Sequence, residues 1–136
     1  MISREGWCDR GYLQLFQEDS ILALTEAYGL RSFLSDMVVI GLIGWDDLLV
    51  RDGEGSIWTV PTLPMHRKHL EAALINVDAE LTPDAELKGK IKWYVAPLIF
   101  GGSPMDESNI VWLDIQKHCE LVRWWNVKYE ELSAKD

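Results

Sequence analysis

Residues 37–61 read MVVIGLIGWDDLLVRDGEGSIWTVP, and this stretch decides the fold class. Met37-Val38-Val39-Ile40 is continuous and β-branched, the pattern of a strand buried on both faces. Asp46 to Arg51 reads as a second strand. Asp52-Gly53-Glu54-Gly55 follows as turn chemistry, because glycine accepts a positive φ at no steric cost. Ser56 to Val60 completes a hairpin, and Pro61, with no N–H to give a ladder, ends it.

Upstream, Tyr12 to Phe16 is a short strand or an extended lead-in. Asp19-Ser20 caps a helix over Ile21 to Tyr28, and Gly29 offers a left-handed stop. Ile21, Leu24 and Tyr28 share one face of that helix. Downstream, Leu70, Ala73, Leu74 and Val77 have helical spacing, so a helix is expected over His66 to Val77. Asp78 to Lys90 is polar and reads as an exposed connection with one helical turn. Ile91 to Val95 alternates like a half-buried strand. Leu98-Ile99-Phe100 is expected to continue extended after Pro97, with Gly101-Gly102-Ser103-Pro104 as a turn. Ile110 to Leu113 is a further strand. Asp114 then caps a long helix whose apolar stripe is Ile115, His118, Val122, Trp125, Tyr129 and Leu132, broadened by Leu121. The expected fold is α+β over residues 1–136 as one domain: a largely antiparallel sheet of four or more strands packed against N- and C-terminal helices.

Composition narrows the function. At 136 residues and 48% hydrophobic, the chain can build a core without a disulfide or metal staple. The seven tryptophans are expected mostly to fill that core, with one or two left to anchor a partner. A net charge of −9 argues against phosphate-backbone binding and against an anionic membrane surface. It suits a basic protein partner, and it also serves solubility. Two distant cysteines, a polar opening and no apolar run longer than Met37 to Trp45 lead to an expectation of cytoplasm with reduced thiols.

The polar residues do not assemble into a reactive motif. His66 and His69 stand at helical spacing, and His118 precedes Cys119, but no Glu-x-x-His frame surrounds them. His118, on an apolar stripe, is expected in the core. Asp46, Asp47, Asp52 and Glu54 lack the spacing of a calcium loop. They read as a charged strand edge and a solvated hairpin tip, and they are the candidates to meet basic groups of a partner. A carboxylate pair for acid–base work stays open for them. Neither Cys8 nor Cys119 carries a nucleophile motif, and Cys119 is expected to point away from His118. Gly101-Gly102-Ser103-Pro104 lacks the lysine of a phosphate loop. The expectation is therefore no catalytic residue, no cofactor and no metal, with work done by surface contact.

Two stretches carry a family likeness. Ile40 to Met65 has a glycine-containing strand end, an acidic residue, a hairpin and a Val60-Pro61 exit. Pro97 to Leu132 holds Phe100-Gly101-Gly102-Ser103-Pro104-Met105-Asp106, Asn109, Trp112-Leu113, His118 and Leu121-Val122-Arg123-Trp124-Trp125-Asn126. Together they resemble the SUKH superfamily, which includes fungal cell-wall-assembly regulators and many bacterial immunity proteins. The customary Leu-Pro before a helix ending in Phe-Leu is represented by Leu30-Arg31-Ser32-Phe33-Leu34, with no proline. The resemblance implies an α+β domain without a catalytic centre that binds and neutralises a toxin, often a nuclease. A regulatory interaction module without a toxin partner is the second reading. A ligand-binding protein or small enzyme with a cleft of tryptophans and carboxylates is the third.

Overall fold

The computed structural model describes residues 1–134. A six-stranded antiparallel meander runs β1 (Ile2–Cys8), β2 (Gly11–Phe16), β3 (Val38–Ile43), β4 (Asp47–Arg51), β5 (Ile57–Pro61) and β6 (Glu71–Ala72), adjacent in chain order. A separate antiparallel pair joins β7 (Ile91–Tyr94) to β8 (Ile110–Leu113). Helix α1 (Ile21–Tyr28) lies between β2 and β3, and α2 (Ile115–Ala134) ends the described chain. The fold is α+β with a largely antiparallel sheet and helices packed on it. Two strands precede α1: the Tyr12 to Phe16 segment is part of β2, and Ile2–Cys8 pairs with it as β1.

The central hairpin forms as the sequence dictates: Asp47 pairs with Pro61 and Arg51 with Ile57. Leu48, Leu49, Val50 and Val60 are fully buried. Helix α1 ends at Gly29 in the left-handed region, φ 72°, as its glycine requires. Thr25 on its buried face donates to the Ile21 carbonyl at 2.7 Å and accepts the Val39 N–H at 3.0 Å. That hydroxyl ties the helix to β3 beside the register shift between Val39 and Gly41.

One apolar cluster joins the layers. Leu13, Leu24, Tyr28, Leu42, Leu49 and Val60 meet Ile91 and Trp93 of β7 and Cys119 and Val122 of α2. The buried face of α2 is His118, Cys119, Val122 and Asn126, so it turns slightly from the predicted stripe, and Leu132 is exposed. Asn126 is a polar residue in that face with its amide fully used. Its Oδ1 accepts the Met65 N–H at 2.7 Å, and its Nδ2 donates to the Thr62 and Val122 carbonyls, both at 2.7 Å.

Three expectations fail. The expected helix over His66 to Val77 is a 3₁₀ turn at Arg67–His69 followed by β6. There Ala73, Ile75 and Val77 are half-buried while Leu74 and Asn76 are exposed, a period of two that coexists with the helical spacing. The His66 ring accepts the Lys68 N–H at 3.1 Å and bends the chain, and the unpaired edge of β5 takes Glu71–Ala72 as its partner. Leu98–Phe100 is a 3₁₀ turn, not an extension, and Gly101 closes it at φ 93°. Of the seven tryptophans, Trp93 alone is buried. Trp45, Trp58 and Trp125 lean on the core, and Trp7, Trp112 and Trp124 are exposed.

Asn126→Ala should cost about 3 kcal/mol in urea unfolding, because it strands the Met65 N–H and the Thr62 carbonyl at once. A loss below about 1 kcal/mol would show that the amide is dispensable.

Candidate functional site

The β3–β4 connection places the first pair of predicted acids. Gly44 (φ 61°) and Trp45 (φ 63°) both turn left-handed, a conformation uncommon for a bulky side chain. The Asp46 N–H bonds back to the Gly44 carbonyl at 2.8 Å, and the Asp46 carbonyl accepts the Thr62 N–H at 2.9 Å. Asp46 and Asp47 thereby come to line a cleft of about 210 Å³ with Pro61, Thr62, Leu63, Trp93, Tyr94, Pro97, Leu98 and Ile99. The apolar walls strip water from both carboxyls and push their pKa values up. At Asp46 the positive charge of Lys92 opposes that push and Asp47 adds to it; at Asp47 the charge of Glu71 adds to it. Asp46 keeps an exposed surface, so its desolvation is partial and screened.

The second pair lies elsewhere. Asp52 and Glu54 follow the far end of β4, a five-residue strand away, or roughly 17 Å at strand rise. The Asp52 carboxylate accepts the Trp58 indole N–H at 3.1 Å and the Glu54 and Ser56 N–H groups at 2.9 Å each. The indole bond leads in holding its pKa below the usual carboxylate range. Asp52 is thus a turn lock, and Glu54 is exposed at the tip. The four acids do not form one patch.

One wall of the cleft is the loop from Val95 to Pro104, and Asn109 holds it. Asn109 Oδ1 accepts the Ala96 N–H at 2.7 Å, and its Nδ2 donates to the Ala96 and Ser103 carbonyls at 3.0 and 3.1 Å. Gly102 is needed for close approach, since a Cβ there would sit 1.8 Å from the Ala96 oxygen. The loop presents Leu98, Ile99 and Phe100, exposed by 42, 49 and 38%. Phe100 packs on Trp125 at 5.3 Å and Tyr129 at 6.4 Å, and Trp125 meets Trp124, 56% exposed, at 4.9 Å. An apolar, largely aromatic ridge therefore begins at the mouth of the acidic cleft. Sequence reasoning missed it because Leu98 to Phe100 looked like a strand and the tryptophans like core.

His118 and Cys119 are withdrawn into the interior, while Cys8 on β1 is half-buried. His118 is fully buried, its Nδ1 2.7 Å from the Tyr28 hydroxyl and its ring edge-on to Tyr28 and Trp93. Burial pulls its pKa down to about 3, so it is neutral at pH 7. Cys119 is buried as well, and burial pushes its thiol up to about 12. His66 and His69 have ring centroids 6.4 Å apart. Among the described residues no three His, Cys, Asp or Glu side chains gather as metal ligands, and no helix is long and apolar enough to cross a membrane.

Comparisons with protein-family models, with curated proteins and with solved structures returned no match.

The raised carboxyls make a signed prediction. A carboxyl with a folded pKa above its unfolded value, about 3.9 for aspartate, stabilises the fold fully only below that value. That contribution fades as pH rises through the folded pKa. Asp46→Asn and Asp47→Asn should therefore raise the Tm near pH 7, with the gain shrinking as pH falls towards about 4. A Tm lowered by either substitution at pH 7 would show that the carboxylates support the fold.

Proposed function

We propose that this chain is a protein-binding domain that neutralises a basic partner by covering its working surface. This is the immunity-protein role that the sequence resemblance implies, with a toxin domain, such as a nuclease, as the partner. The observation that carries it is the aromatic ridge exposed at the mouth of a partly desolvated acidic cleft. Binding energy concentrates in a few large anchors, and Phe100, Trp124 and Trp125 are of the residue types that serve. The net charge of −9 would speed encounter with a basic surface and disfavour acidic ones. The burial of His118 and Cys119 supports contact over catalysis, since neither reaches a substrate from the core. The free thiols Cys8 and Cys119 suit a reducing cytoplasm.

A second reading, a small-ligand protein or enzyme using the same cleft, draws on the Asp46–Asp47 pair between aromatic walls. Its volume of about 210 Å³ falls below the roughly 300 Å³ at which ligand pockets begin, which favours a side chain over a free metabolite.

The test is a toxin domain encoded beside this chain. An equimolar amount of the chain should abolish its activity, and Phe100→Ala and Trp124→Ala should each weaken binding about 30-fold. Their Tm should stay close to that of the parent chain. Neighbouring toxins that all remain fully active would contradict the proposal.

A further inference from the structure

We infer that the Asp46–Asp47 cleft receives one arginine side chain from the protein that docks on the adjoining ridge; the inference rests on the binding reading above. Leu98 and Ile99 belong to both the cleft wall and the ridge, so one partner segment can occupy the two together. Among the described residues, neither carboxylate takes part in a salt bridge or accepts a side-chain or backbone hydrogen bond. Asp52 and Glu5, by contrast, each accept several. The nearest cation, Lys92, acts on Asp46 at a distance and forms a salt bridge with neither acid: its ammonium lies over the ring of Tyr94, a residue of the cleft wall, 5.0 Å from the centroid. Asp47, half-buried, and Asp46, partly exposed, thus line a recess without a cation in salt-bridge contact. Charge complementarity selects a cationic occupant.

The walls select among cations. Pro61, Leu63, Pro97 and Leu98 suit an aliphatic stem, and Trp93 and Tyr94 offer aromatic surface beside the acids. A guanidinium is planar, stacks on aromatic rings and carries enough fixed N–H donors for two carboxylates. It is also more weakly hydrated than an ammonium, so it enters an apolar recess at lower cost. The cleft holds one long side chain and no more, which makes this a pocket for a single anchor within a larger interface.

The experiment titrates the ¹⁵N-labelled chain with N-acetyl-arginine amide and with N-acetyl-citrulline amide, the uncharged near-isostere. Arginine amide should shift the amides of Asp46, Asp47, Thr62 and Leu98 and the Trp93 indole, and citrulline amide should bind at least tenfold more weakly. The Asp46→Asn/Asp47→Asn double variant, which should fold at least as well as its parent, should lose the response. Equal binding of citrulline amide, an unchanged response in the double variant, or shifts spread to Glu54 and Asp52 would overturn the inference. This probe needs no partner, so its result is independent of the toxin test. With a toxin in hand, the double variant should bind it at least tenfold more weakly. Undiminished binding by that variant, beside a loss in Phe100→Ala, would overturn the arginine pocket and leave the ridge reading standing.

Discussion

The amide of Asn126 is the constraint on which the molecule's working surface depends. It sits on the buried face of the last helix, where an apolar residue would be the simple choice. A buried amide is tolerable only when its groups are satisfied, and this one meets the 62–65 segment at two backbone points. That segment carries Thr62 and Leu63 of the cleft wall, and the Thr62 N–H holds the Asp46 carbonyl. A continuous run of hydrogen bonds thus links α2 to the acids. Displacing the helix would move the cleft and the Trp124–Trp125 end of the ridge together.

A second set of bonds fixes the opposite flank. The Glu5 carboxylate accepts from the Tyr12 hydroxyl at 2.8 Å, from Gln14 Nε2 at 3.1 Å and from the Gly89 N–H at 2.9 Å. Trp7 and Thr82 exchange backbone bonds of 2.8 and 2.9 Å, which covers part of the outer edge of β1. The long polar connection between the two sheets is therefore strapped down, although its composition resembles a free loop. Trp7, Tyr12, Trp45 and Trp112 interlock beside it and join the meander to the β7–β8 pair. These bonds and ring contacts tie the elements away from the ridge to one another, and on the proposed reading a preformed surface leaves little ordering cost for binding.

The sequence was most legible where one local signal agreed with burial. The central hairpin, the α1 stop at Gly29 and the Asp114 cap all rest on turn or cap chemistry that tertiary contacts did not override. The Asp114 carboxylate accepts the Lys117 N–H at 2.8 Å, as an N-cap should. Strand β1 escaped notice because Ile2 to Cys8 mixes charges with Gly6 and shows no clean alternation. Gly6 is there because a Cβ would strike the Thr82 oxygen at 2.7 Å, a contact no local pattern reveals. Asp46 and Asp47 could be named as candidates from charge alone. Their separation from Asp52 and Glu54, and the aromatic ridge beside them, depend on how α2 and the 95–104 loop pack. That is non-local information, and Asn109 and Asn126, which enforce it, look like ordinary polar residues in the chain.

The central claim is that one face of this domain does its work by contact. Hydrogen–deuterium exchange of the chain alone and with a neutralised toxin measures it most directly. Protection should fall on Gly44–Asp47, Val95–Gly101 and the Arg123–Tyr129 part of α2, with α1 and the Asp52–Ser56 tip unchanged. Protection centred on α1 or on the hairpin tip, with the 95–101 loop exchanging as before, would contradict it.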